Sequence, residues 1–151
     1  REIVCFSISA GMSTSGNVMR LAAEELGASD RIKVIDSANL STGIGLLVVE
    51  AAIMAKNNRT ASQIVSEMEK LKPNVRASFV VDTLTYLYRG GRCNAVAAMA
   101  GGVLKLHPRI VVEDGAMNAS KKYRGKIASV VMNYVKDMEK DLKKRDLNAY
   151  L

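Results

Sequence analysis

The feature that most constrains this chain is an alternation in its first half. Ile3-Val4-Cys5-Phe6 and Ile32-Lys33-Val34-Ile35 are short, largely β-branched apolar runs, and each leads through a Ser/Thr/Gly loop into a segment of helical character. A parallel strand pair needs a long crossover, usually a helix, so this order is the grammar of a parallel sheet. Residues 2–8 predict a buried strand. Residues 17–26 predict a helix with Val18, Leu21, Ala22 and Leu26 on one side and Gly27 as its stop. Residues 32–36 predict the second strand. Ile44–Lys56 is so apolar that it predicts a helix covered on more than one side. After the break at Asn57-Asn58-Arg59, Thr60 and Gln63 form a capping-box pattern for a helix running to about Leu71, which Pro73 stops.

From Ala77 onward the pattern changes. Residues 77–81 predict a third strand, Leu84–Tyr88 a short turn of helix, and Arg89-Gly90-Gly91-Arg92 a tight basic loop. Asn94 is placed to cap a small-residue helix over Ala95–Val103. Arg109–Glu113 predicts a strand, with Asp114-Gly115 as a hairpin turn and Ala116–Asn118 returning. A helix over about Lys126–Lys144 carries Val130, Val131, Tyr134, Val135, Met138 and Leu142 as an apolar stripe, and Leu147–Leu151 reads as the start of another strand. The expected fold class is α/β. A Rossmann-like parallel sheet occupies residues 1–76, and a second α/β subdomain with a hairpin, incomplete at its C-terminus, occupies 77–151.

Charge and cysteine usage narrow the classes of partner. The net charge of +7 is uneven, with nine Lys or Arg against four acids between Ala119 and Leu151. Such a segment serves as a docking face for an acidic partner, a nucleic acid or an anionic membrane, or is the solvated face of an amphipathic helix. The expectation is the solvated face and not nucleic acid. No apolar stretch approaches the ~20 residues of a membrane span, since Glu50 interrupts Ile44–Ala55. Arg1-Glu2-Ile3-Val4 reads as a strand and not as a secretion leader. Cys5 and Cys93 are far apart with no nearby His, so the expectation is free, buried thiols in a reducing cytoplasm, with neither a metal site nor a disulfide.

Candidate chemistry concentrates in the loops. Ser7–Gly16 follows a strand and opens a helix, the place where ligands lie in open α/β sheets. Its hydroxyls and the N–H groups at the helix start suit a carboxylate or a phosphate equally, and they are also ordinary capping and turn residues. The loop matches neither the dinucleotide glycine pattern nor the P-loop. Gly43 and Gly45 permit close backbone approach, for helix–sheet packing or for a ligand. Arg92 is able to hold a carboxylate through a forked hydrogen-bond pair, and Arg89-Gly90-Gly91-Arg92 is equally a surface turn with solvated arginines. His107, the only histidine, has no base or nucleophile beside it in sequence and is assigned to structure, with Pro108 setting the start of a strand. No catalytic constellation stands out. These residues by themselves give a soluble α/β protein with an anion-friendly loop, and they leave open an enzyme acting on a phosphorylated small molecule and a basic interaction module.

Five segments together resemble the DegV family. Ser7-Ile8-Ser9-Ala10-Gly11-Met12-Ser13 is similar to its T-I-S-S-x-L-S-G-T segment. Val34-Ile35-Asp36-Ser37 with Ser41–Ala51 is similar to V-I-D-S followed by S-x-G-x-G-L-L-V-x-E-A. Phe79–Arg92 resembles F-x-x-D-T-L-x-Y-L-x-x-G-G-R. Leu104–Pro108 with Asp114-Gly115, and Tyr123–Lys126, follow in family order. The resemblance implies a two-part α/β fold that holds one long-chain fatty acid, with no catalysis and no further cofactor. It implies a fatty acid kinase as partner, which phosphorylates the bound carboxylate. Ser9, Ser13 and Arg92 are the implied carboxylate-binding residues. Ala10 and Thr14-Ser15-Gly16 depart from the family pattern. The family's opening strand, early Thr-Ser segment and closing portion are not matched, so self-association through the last helix or an open sheet edge is expected.

Overall fold

A computed structural model describes residues 1–92 and 106–143. The expected helix over Ala95–Val103 with Asn94 as cap, Cys93, and the strand at Leu147–Leu151 lie outside the described residues. The chain divides into two compact units, Arg1–Ala77 with Val112–Met117, and the described parts of Ser78–Val111 with Asn118–Leu151.

In the first unit, β1 (Ile3–Ser7) and β2 (Ile32–Asp36) pair in parallel, Ile3 opposite Ile32 through Ser7 opposite Asp36. The crossover between them is α1 (Ser15–Glu25). Next come α2 (Thr42–Lys56) and α3 (Ala61–Leu71), the latter ending in a 3-10 turn at Lys72–Asn74 that contains Pro73. Thr60 and Gln63 form the capping box in full, each side chain accepting from the other's backbone N–H. Ile35, Leu47, Ala51, Ile64 and Met68 make the core, with Val4, Phe6, Met54 and Val65 packed around it. Each of the larger side chains contributes about 1.5–3 kcal/mol by leaving water.

Two expectations about helix faces are corrected. The side of α1 carrying Val18, Leu21 and Leu26 is exposed, at 61%, 57% and 75%. The helix instead buries Gly16 and Ala23, seven residues apart and so on one face, and two small side chains allow a close approach. Likewise α2 buries a single line, Gly43, Leu47 and Ala51, while Leu46, Val49 and Ile53 stand 49–59% exposed. An apolar sequence states what a helix tolerates, whereas the neighbours present decide what is covered. At the start of α2, Ser41 sits at a φ of 50° and its side chain makes no capping bond.

A three-stranded sheet has the order β3 (Ser78–Val80), β4 (Leu106–Glu113), β5 (Ala116–Arg124). Asp114-Gly115 makes the turn of the hairpin as expected, but both strands run beyond the predicted bounds, so Leu106–Pro108 and Ala119–Arg124 are also strand. The short α4 (Thr85–Gly90) continues into the glycine pair, and Gly91 closes it in the left-handed conformation at φ 66°. The last described helix is α5 (Ile127–Lys143). Its Val130 is fully buried and Tyr134 reaches Ser78, while Val131, Val135 and Leu142 remain exposed.

Pro108 is inside β4 and not at its start, a further correction. β3 and β4 pair antiparallel, with Phe79 opposite Ile110, and the N–H of Val112 donates to the carbonyl of Ala77. Hydrogen-bonded pairs alternate along such a ladder, so the next rungs are Phe79 with Ile110 and then Val81 with Pro108. Proline has no N–H to give. The ring of the adjacent, buried His107 fills the gap, its Nδ1 lying 2.9 Å from the Val81 carbonyl oxygen and its Nε2 3.1 Å from that of Gly125. A neutral imidazole carries one N–H and so donates to one of the two at a time.

Candidate functional site

The loop after β1 is built around Ser9, which is 2% exposed. Its N–H donates to the Asn39 carbonyl, and its own carbonyl accepts the N–H groups of Met12 and Ser13 at 2.9 and 3.1 Å. Its hydroxyl donates to the carbonyl of Gly115 at 2.6 Å and accepts the Gly11 N–H at 3.2 Å. Ser9 and Ser13 are therefore brought together in one turn. Ser13 Oγ donates to Ser15 Oγ and accepts the Ser15 N–H, both at 3.2 Å, at the first residue of α1. The N-cap position itself, Thr14, makes no side-chain capping bond.

Asp36 at the end of β2 anchors the same loop, a role that the sequence reading missed. Its carboxylate accepts the Ala38 N–H at 2.9 Å and the Ala10 N–H at 3.3 Å. The local half of this was legible, because an Asp that ends a strand readily bonds its own backbone two residues on. The reach to Ala10 has no local signal. Of the two glycines at the start of α2, Gly43 is packed against the buried Asn39 side chain, whereas Gly45 has open space beside it.

Arg92 belongs to the second unit. Its side chain is exposed, with Nη1 donating to the Gly90 carbonyl at 2.6 Å across the turn that ends α4. Upstream, the hydroxyls of Thr83 and Thr85 bond each other at 2.9 Å. The basic segment is partly neutralised within its own unit. Lys121 pairs with Asp137, and Arg109 with Asp141 at 3.0 Å, beneath the Tyr134 ring. Tyr123 donates to Asp137 at 2.8 Å. Burial, and then the bond to Asp137, push the Tyr123 phenol up to about 12, while Lys121 and Tyr123 hold Asp137 below the usual carboxylate range. Cys5 is a half-buried free thiol, and Cys93 lies outside the described residues. Among the described residues no group of three or more His, Cys, Asp or Glu is placed to hold a metal, and no helix is long and apolar enough to cross a membrane.

Residues 1–148 match the family described as "Uncharacterised protein, DegV family". The chain belongs to the DegV family. A DegV domain-containing protein of Caldanaerobacter subterraneus is 35% identical over 127 residues, which cover 83% of this chain and 45% of the relative. A DegV lipid-binding protein of Thermotoga maritima superposes with a TM-score of 0.78 at 23% identity, over 93% of this chain and 48% of that one, a likeness of fold. A DegV family protein of Thermus thermophilus, described by its fatty acid binding, is 29% identical with a TM-score of 0.69, over 82% and 44% of the two chains. The chain thus spans about half the length of the DegV relatives it matches. Two of the five DegV-like segments stand at the C-terminal ends of the parallel strands, where ligands lie in open α/β sheets: the loop around Ser9 follows β1, and the turn around Asp36 follows β2.

Proposed function

We propose that this chain forms part of a carrier that binds one long-chain fatty acid and presents its carboxylate to a partner fatty acid kinase for phosphorylation. The observation that carries this reading is membership of the DegV family, together with the fatty acid binding described for the Thermus relative. The physics is coherent with it. Each buried methylene contributes about 0.8 kcal/mol, so a long acyl chain supplies most of the affinity. The head group then needs only a few donors, and the carrier supplies pocket and orientation while the kinase supplies the chemistry. Ser9, Ser13 and Arg92 are the proposed carboxylate-binding residues. The division of the protein into a 1–76 part and a 77–151 part, and a cytoplasmic location, belong to the same proposal.

Self-association is also proposed, since α5 leaves Val131, Val135 and Leu142 exposed. The head-group assignment is tested by comparing two neighbouring arginines. Arg92→Ala raises the Kd for palmitate by about tenfold, the worth of one charge-assisted hydrogen bond, while Arg89→Ala changes it less than about twofold. Equal losses in the two variants refute the assignment. The kinase step is read by mixing the loaded carrier, ATP and a purified fatty acid kinase, where acyl phosphate forms only with all three present. Its formation without the carrier refutes the presenting role.

A further inference from the structure

The hairpin turn between β4 and β5 reaches Ser9 from far along the chain. Asp114 and Gly115 both take positive φ, 51° and 73°, and the Gly115 carbonyl receives the Ser9 hydroxyl at 2.6 Å. The Gly11 N–H donates to the Ser9 hydroxyl oxygen at 3.2 Å from within the loop. The oxygen of Ser9 is thus held from two sides, by backbone separated by more than a hundred residues of sequence.

This approach leaves no room for a side chain. A Cβ on Gly115 would lie 2.6 Å from Ser9 Oγ, and one on Gly11 would lie 2.9 Å from the Gly115 carbonyl oxygen. Real Cβ atoms essentially never come so near. A hydroxyl redirects its one hydrogen by rotation about Cβ–Oγ without moving the oxygen. When Ser9 turns its hydrogen from Gly115 to a ligand carboxylate, the bond to Gly115 is given up, the Gly11 N–H still holds the oxygen, and the missing side chain at 115 leaves the oxygen its room.

We infer that Gly115 is a positioning residue of the head-group site: it fixes the place of the Ser9 hydroxyl oxygen, and any side chain at 115 displaces that oxygen. The inference rests on the carrier reading above and assigns a role to the hairpin turn beyond reversing the chain. A turn alone has a weaker requirement. Asparagine tolerates positive φ, so Gly115→Asn preserves the turn while placing a Cβ against Ser9.

The test is a double-mutant cycle of Gly115→Asn and Ser9→Ala, read with palmitate and with methyl palmitate, whose head carries no charge. Each single variant is expected to weaken palmitate binding by about tenfold, and to leave the ester within about twofold. The double variant is expected to bind palmitate no more weakly than Ser9→Ala alone, because the obstruction acts through the hydroxyl that Ser9→Ala removes. Losses that multiply in the double variant, or an ester weakened as much as the acid, overturn the inference. Where Gly115→Asn fails to fold, recovery of the folded state in the double variant supports it, and a double variant equally unfolded overturns it. A parent protein that takes up no fatty acid defeats the carrier reading and this inference with it. Uptake by the parent with multiplying losses defeats this inference alone.

Discussion

Gly43 and Gly45 stand two residues apart in the first turn of α2, and alanine at each should act in opposite directions. A Cβ on Gly45 meets nothing within 4 Å, so Gly45→Ala gains up to about 1 kcal/mol from helix propensity alone. A Cβ on Gly43 would overlap Oδ1 and Cγ of the buried Asn39. That side chain donates to the Val75 carbonyl at 3.2 Å and accepts the Leu40 N–H at 3.0 Å. Displacing it breaks both bonds and strands buried polar groups, at about 1–3 kcal/mol each, which outweighs the propensity gain. The net is a loss of roughly 2–4 kcal/mol, or a melting temperature about 5–15 °C lower in a chain of this size. Circular dichroism melts of the two variants and the parent decide it. A Gly43→Ala protein that melts at or above the parent refutes the packing argument and returns Gly43 to the list of ligand-contact candidates.

Three further outcomes are expected. Tyr123 is a phenol raised from 10.0 to about 12 on folding, so its contribution is whole below pH 10 and is lost as pH climbs through 12; in alkaline denaturation curves Tyr123→Phe should be flatter than the parent over that window, and parallel curves would contradict this. His107→Ala removes the ring from between the carbonyls of Val81 and Gly125, leaves one of them without its donor, and should cost about 1–3 kcal/mol in urea unfolding; an unchanged midpoint would mean that water serves that carbonyl equally well. Val135→Lys places a charge among the exposed apolar residues of α5 and should shift sedimentation toward monomer; a parent that is already a stable monomer and binds no apolar dye overturns the proposed self-association.

What was legible in the sequence was mostly what is local. The Thr60–Gln63 capping box and the Asp114-Gly115 turn depend on residues three apart or adjacent, and both are in place. Strand alternation gave the parallel pairing of β1 with β2, because a crossover helix leaves little else for the chain to do. Periodicity separated the two sides of α1 correctly but assigned the wrong one to the core, since Gly16 and Ala23 pack and carry almost no hydrophobic signal. The exchange between Pro108 and His107 depends on the parity of a ladder rung, which requires the register of β3 against β4. At the candidate site, the crowding of hydroxyls and glycines in Ser7–Gly16 marked the loop. The bond from Ser9 to Gly115 and the reach of Asp36 to Ala10 join residues remote in sequence, and no local pattern announces them. Arg92 was singled out by its match to the family motif, and its side chain sits across the turn it follows.

The central claim is that this chain serves a fatty acid carrier, and the most direct measurement is of what the protein holds. The protein carrying this chain is purified without detergent and extracted with organic solvent, and the extract is analysed by mass spectrometry. The account predicts a long-chain fatty acid at about one molecule per protein, and uptake of added fatty acid by protein stripped of it. Extracts free of fatty acid, together with no uptake by the stripped protein, would contradict it.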